Sequence, residues 1–466
     1  MQGIPVNSVP NAESQGFKMD IKEYKCPNCG GTVNFDSSSQ KMKCPYCDTE
    51  FEITALEEYQ KEVAAAKDNF GWAKEEAGQE WGTGELEDLS SGACPSCGAE
   101  LLGDVNTVAM VCPCCGNAQI VSKRLSGFLK PDYVIPFKLE KENAAKALKD
   151  FCKGKKLLPD FFVKENHINN IQGVYVPFWL FDAEASGRVC YKATKVERTA
   201  VYEKTHFYSV VRDGNMTFEK IPVDGSEKMD DKYMDAIEPF DYSQMKDFQT
   251  TYLAGYVAEK YDVDAEKSKE RAAHRIKTSV ETEFANSVTG YNSVKIESSS
   301  VSVNEGKCSY ALFPVWVLNT KYKEENYLFI MNGQSGRLVG RLPIESKKIW
   351  KYGFIYSGIL GPIFTALAFA LYYNDPNFAL FTAAAWVLAL IMGFAYVFSL
   401  KSQMNTALLK DEANAYIVKN SIVYKKKNDN FLYSKVSKVA QQATKAALTG
   451  ALVKGTMKYS AKRLTR

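Results

Sequence analysis

A chain of 466 residues has room for two to four domains, and its net charge of +3 hides an uneven distribution. Residues 1–130 carry eleven Lys or Arg against nineteen Asp or Glu, whereas residues 401–466 carry fourteen against three. A phosphate backbone is bound largely by positive charge, so the acidic N-terminal quarter argues against nucleic acid as its partner.

Residues 1–23 are polar, lack the apolar run of a signal peptide and read as a disordered start. Two blocks of four cysteines follow, related by a 68-residue shift: Cys26, Cys29, Cys44 and Cys47, then Cys94, Cys97, Cys112 and Cys115. In each, two CxxC pairs are separated by fourteen residues. One such pair can clasp one side of a tetrahedral Zn2+, and a second, returned by a short hairpin, completes four ligands at roughly 2.3 Å. Pro after the first cysteine and Gly30 or Gly98 after the second suit the tight turn each pair needs. The reading is two zinc ribbons, at 24–50 and 92–130. Four thiolates saturate the ion and leave no open position, so both Zn2+ sites are expected to be structural. Cys114 lies between two ligands and is a spare thiol or a competing one, while Cys152, Cys190 and Cys308 read as ordinary buried thiols.

Between the ribbons, residues 51–91 form an acidic linker, helical over Leu56–Lys67 and then broken by four glycines. Its Trp72 and Trp81 either pack on a ribbon or mark a docking point, and packing on a ribbon is expected. Residues 131–345 read as an α+β domain. A short strand at 133–137 precedes a helix at Lys141–Cys152, strands run from Val174 to about Phe218, and helices are expected over Met245–Tyr261 and Ala265–Ser287. Strands return from Val294 to Leu342, with a hairpin turn at 332–336. Val176-Pro-Phe-Trp-Leu-Phe-Asp182 echoes Phe313-Pro-Val-Trp-Val-Leu-Asn319, which points to two related strand units.

Residues 353–373 and 378–400 contain no charged side chain, and each is long enough to cross about 30 Å of hydrocarbon as a helix. Only four residues join them, so a transmembrane hairpin is expected. Lys347, Lys348 and Lys351 precede it and Lys401, Lys410 and Lys419 follow, while the turn has no Lys or Arg. The positive-inside rule therefore places both flanking regions in the cytoplasm. A reducing cytoplasm keeps the cysteines available for zinc rather than for two disulfides per block. Residues 401–466 read as a basic cytoplasmic tail, with an amphipathic helix at 434–453, lying along anionic lipid. Alanine and glycine in the spans also permit an oligomer in the membrane.

No phosphate loop, HExxH or GxSxG motif is present, and His167, His206 and His274 are isolated. The chain is therefore read as a non-enzyme.

The CPxCG repeats, YVIPFKL, GVYVPFWLFDAEASG, DFQTTYLAGYVAEKYDVDAE and MNGQSGRLVGRLP together resemble a family of membrane-anchored zinc-ribbon proteins of Gram-positive bacteria. The resemblance covers about residues 24–400. Such proteins are labelled as having a transcription-factor-IIB-type zinc ribbon or as related to a primosomal helicase, but this sequence lacks every helicase motif. The resemblance implies zinc ligation by the eight cysteines named above, with Cys114 a departure from the simple pattern, and no catalytic residue. It also implies a membrane adaptor that recruits SPFH-domain or phage-shock-type proteins during envelope stress. A membrane-tethered nucleic-acid-binding regulator is the alternative.

Overall fold

The computed structural model describes residues 23–438 apart from 65–66, 75–76, 83, 86–88, 104–110, 118–119, 124–126, 128, 161, 163–170, 200–201, 324 and 407–408. The N-terminal stretch expected to be disordered, His167 and the tail beyond 438 lie outside the described residues, apart from Glu23.

The first ribbon is a small antiparallel sheet of β1 (Asn34–Asp36), β2 (Lys41–Lys43) and β3 (Glu50–Phe51). Helix α1 (Ile53–Val63) begins three residues before the expected start and ends sooner. It buries Leu56 and Tyr59, three residues apart on one face, against Phe51 and the distant Leu432 and Tyr433. The acidic linker is therefore more than a spacer. Its next segment, β4 (Asn69–Trp72), joins the main sheet in parallel with a strand that begins more than two hundred residues later. Trp72 packs edge-on to Phe181 and Trp81 to Phe248, so both tryptophans sit on the central core rather than on a ribbon.

The second ribbon consists of β5 (Ser90–Ala93), β6 (Glu100–Gly103) and β7 (Val121–Lys123), with β5 in the middle. Two similar units then follow. The first is β8 (Tyr133–Val134), α2 (Lys141–Cys152) and the hairpin β9 (Gln172–Arg198) and β10 (Tyr202–Asp224). A short helix α3 (Asp231–Ala236) and strand β11 (Lys246–Asp247) intervene. The second unit is β12 (Val257–Glu259), α4 (Ala265–Asn286) and the hairpin β13 (Ser293–Tyr322) and β14 (Glu325–Asn332), closed by β15 (Leu338–Gly340).

The sequence echo has a spatial meaning. β9 and β13 are antiparallel neighbours, with Val176 opposite Phe313, so the two matching segments face each other across the middle of the sheet. Each unit also lends its first strand to the other: β8 runs parallel to β13, and β12 parallel to β9. Helix α4 covers the sheet with Ala272, Ile276, Val280 and Phe284, one side chain per turn, all fully buried. It lies so close to β9 that a Cβ at Gly187 would overlap Val280.

The helix expected over Met245–Tyr261 is not formed. That stretch is β11, a 3-10 turn at Thr250–Leu253 and β12. Phe248, Leu253 and Val257 reach the core from these separate elements, and the backbone is worth more as sheet ladder than as helix. β6 of the second ribbon pairs with β12, so this ribbon is hydrogen-bonded into the central sheet instead of forming a separate module.

Two long apolar helices follow, α5 (Ser346–Tyr372) and α6 (Phe378–Ser402), packed as an antiparallel hairpin. Past them the chain returns to the central region. Leu342 N donates to Met404 O, and Thr406 N to Gly340 O, which ties the two ends of the hairpin together. The stretch read as a basic tail then forms β16 (Val423–Lys438), which pairs antiparallel with β10 over fourteen residue pairs. The start of the expected amphipathic helix, residues 434–438, is thus strand. Its alternating Val423, Phe431, Tyr433 and Lys residues suit an edge strand, and Lys426 is held by Glu62 of α1 at 2.8 Å.

Candidate metal centres and the apolar hairpin

Each cysteine pair sits on the same local device. The first cysteine of a pair accepts at its carbonyl from the backbone N–H four residues on: Gly30 to Cys26, Asp48 to Cys44, Gly98 to Cys94 and Gly116 to Cys112, all at 2.8–2.9 Å. The donating residue has φ of +79°, +55°, +75° and +75° respectively. Glycine meets this left-handed requirement at three of the four turns, and Asp48 is the exception.

These turns bring the four sulfur atoms of each block together, as the spacing predicts. Cys26 Sγ lies 3.6 Å from Cys47 Sγ, and Cys29 Sγ 3.5 Å from Cys44 Sγ. In the second site the distances are 3.5 Å for Cys94–Cys115 and 3.7 Å for Cys97–Cys112. All four sulfurs of each set lie within 4.8 Å of one another. A disulfide needs about 2.05 Å. A tetrahedron with metal–sulfur bonds of about 2.3 Å has edges of about 3.8 Å, so the donor atoms are spaced for one metal ion per site, and four thiolates fit zinc.

The surroundings split the thiols of each set: burial pushes Cys26 up to about 12 and raises Cys97 and Cys115, while Cys47 and Cys112 are lowered. Burial works to raise Cys47, but hydrogen bonds with the Thr49 hydroxyl and backbone prevail and bring it down to about 6. A hydrogen bond with Cys114 is the main cause that lowers Cys112 to about 5. The same hydrogen bond, with burial, holds Cys114 far above the ordinary thiol range, so it stays protonated. Cys114 is outside the set of four and turns toward the central region, where its Sγ lies 3.6 Å from Glu259 Oε1 and its carbonyl accepts from Asn319.

Glu259 was not legible as a special residue from sequence. It is fully buried at the end of β12, accepts from the Ser226 hydroxyl at 2.8 Å, and its Oε2 has no hydrogen-bond partner. Burial pushes its carboxyl up to about 7. Four thiolates on a divalent ion leave a net charge of about −2, which acts in the same direction.

A second polar centre joins the segment after the hairpin to the domain before it. Arg275 of α4 forms a two-pronged ion pair with Glu238 at 3.1 and 2.8 Å, and Tyr416 donates to Glu238 at 2.8 Å. Arg271 bridges Asp224 and Asp235, and Asp235 accepts from the backbone of Lys410. His206 contacts Ser434 and Glu197, and His274 is exposed on α4, so the two described histidines lie apart.

The apolar hairpin is built on small residues. Gly353, Ser357, Gly361 and Ala368 of α5 face Ala389, Gly393 and Val397 of α6. A Cβ at Gly393 would overlap Ser357 Oγ and come within 2.8 Å of the Ser357 backbone nitrogen. The outward side chains, among them Ile359, Ile363, Leu367, Leu388 and Ile391, are exposed. Both helices are long and apolar enough to cross a membrane. Among the described residues the central region covers only their base, where Tyr352, Val397, Leu400 and Met404 pack against Leu157, Leu158 and Trp316.

These features define a class: a mixed α/β body with two four-cysteine sites that emerges into a pair of long, packed, apolar helices. The chain belongs to the family of the protein YdjG of Bacillus subtilis (strain 168), which is described as uncharacterized. The two are 37% identical over 351 residues, which is 74% of this chain and 96% of that one. No family model matches the chain, and no solved structure matches it.

Proposed function

We propose that this protein is a non-enzymatic adaptor that holds a zinc-stapled docking body against the inner face of the cell membrane. The observation that carries the reading is the exposed hairpin. Two helices of 27 and 25 residues leave their apolar sides uncovered, a cost that hydrocarbon removes and water does not. Both helices start or end on the central region, so among the described residues only the turn at 374–377 would lie on the far side. The lysines at the base, Lys347, Lys351 and Lys401, support a cytoplasmic position for the body and favour anionic lipid.

In this reading the two Zn2+ ions are structural, since four thiolates close each coordination shell. The first ribbon supports the docking role: Tyr46 is 75% and Phe35 52% exposed, so two aromatic rings of this ribbon remain open to a partner. Membrane-associated proteins of the SPFH or phage-shock type are the partners the family resemblance favours.

The test is crosslinking in intact cells followed by purification from detergent-solubilised membranes, comparing the wild type with Phe35→Ala/Tyr46→Ala. A membrane-associated protein captured by the wild type and lost from the variant, with zinc content unchanged, is the expected result. Salt-sensitive recovery of nucleic acid, or no partner with either form, would overturn the adaptor reading.

A further inference from the structure

A cleft of about 570 Å3 opens at the foot of the hairpin, between the start of α5, the end of α6 and the turn that joins β13 to β14. Four cationic side chains from four separate parts of the chain line it: Lys323, Arg341, Lys347 and Lys401. Among the described residues the acids lining it are Glu325 and Glu345. Of these, Glu325 pairs with Arg341 at 3.9 Å while accepting from the Tyr327 hydroxyl at 2.9 Å, and Glu345 faces Lys348 at 3.8 Å, so the cations remain in excess. Among the described residues Lys347 and Lys401 have no ion-pair partner, and Lys323 rests over the ring of Tyr322. Leu342, Ile344 and Ile349 add apolar side chains to the lining.

We propose that this cleft binds the phosphate headgroup of an anionic phospholipid, with the start of an acyl chain along the apolar side chains. The inference rests on the membrane reading above, because the cleft lies at headgroup level only if α5 and α6 span the bilayer. Like charges gathered around one cleft repel unless an anion joins them, and one phosphate can accept from several donors at once. The lining also combines the two characters of a phospholipid at its polar boundary, cationic and apolar. A free phosphate would use the cations and leave the apolar side chains idle. Its site differs from Lys425, Lys426 and Lys427 of β16, where Lys426 pairs with Glu62 and Lys427 stacks on Tyr424.

The test uses full-length protein solubilised in a mild nonionic detergent and native mass spectrometry. Dioctanoyl phosphatidylglycerol, dioctanoyl phosphatidylcholine and glycerol 3-phosphate are the probes. The expected result is one phosphatidylglycerol bound more tightly than phosphatidylcholine, with glycerol 3-phosphate a poor competitor. Arg341→Ala/Lys347→Ala should weaken phosphatidylglycerol binding about tenfold or more. Arg341→Lys/Lys347→Arg, which keeps both charges, should restore most of it, and Lys425→Ala/Lys427→Ala should leave it unchanged. Two zinc ions in every variant show that each is folded. Equal binding of the two lipids, wild-type affinity in the Ala variant, or equal competition by glycerol 3-phosphate would overturn the proposal. Carbonate-resistant membrane fractionation of the same proteins separates the two claims: a protein that stays in the membrane without lipid selectivity fails this inference alone, and one that is extracted fails the membrane reading.

Discussion

Asp48 and Gly30 occupy the same place in equivalent turns, with φ of +55° and +79°. An L side chain pays for that conformation and glycine does not. Asp48→Gly should therefore raise the stability of the first ribbon by about 0.5 kcal/mol, whereas Gly30→Ala, with open space around it but the wrong conformation, should cost about 1 kcal/mol. Thermal unfolding of the zinc-loaded protein reads both. Glu259 gives a pH signature. Its carboxyl is raised to about 7 in the folded chain, against about 4.3 when unfolded. The folded state thus holds a proton that the unfolded state releases, and the stabilisation is full below about pH 4 and is lost as the pH rises through about 7. Glu259→Gln, neutral throughout, should flatten the thermal-stability profile between about pH 5 and 8 and be the more stable form at the upper end. An unchanged slope would contradict the assignment. The eight cysteines were legible from spacing alone because a metal site fixes residue type and interval together. Glu259 was not, since nothing local marks one glutamate among 55 acidic residues as buried.

At the level of elements, the strongest predictions concern the hairpin and the zinc sites. Gly393→Val places a branched side chain where α5 already lies, and it should lower stability in detergent by about 1–3 kcal/mol, while Leu388→Val on the exposed side should change little. Metal analysis should give two zinc ions per chain, and Cys94→Ser/Cys97→Ser should retain one. Because β6 pairs with β12, loss of the second site should also speed hydrogen exchange at Val257–Glu259. Helices α2 and α4 and the 332–336 turn agreed with periodicity and turn chemistry. The expected helix at Met245–Tyr261 failed because its apolar spacing is compatible with helix when read locally. Its backbone is claimed by three different strands that local pattern cannot reveal. β16 was misread for a related reason: a lysine-rich run next to an apolar hairpin has the composition of a lipid-facing tail, and only the long-range pairing with β10 shows it to be an edge strand.

For the whole molecule, the hairpin is an insertion into a domain that closes behind it. Leu409–Ile417 supplies Lys410 and Tyr416 to the buried Arg275–Glu238 centre, and β16 completes the sheet. A fragment ending at residue 345 would lose these partners and leave a buried ion pair open to water. It should aggregate or unfold, whereas a chain in which a short polar loop replaces 347–402 should remain folded and soluble. Removing one partner, as in Glu238→Ala, should cost about 3–5 kcal/mol. Circular dichroism and zinc content of the two shortened chains distinguish these outcomes.

The most direct test of a zinc-stapled adaptor fixed to the bilayer is in-cell photocrosslinking from a benzoylphenylalanine placed in turn at Tyr46 and at Leu388. Both positions are exposed on the protein, one on the first ribbon and one on the hairpin. Lipid adducts from position 388 and a discrete protein adduct from position 46 are predicted. Protein-only adducts from position 388, or no protein adduct from position 46, would contradict the account.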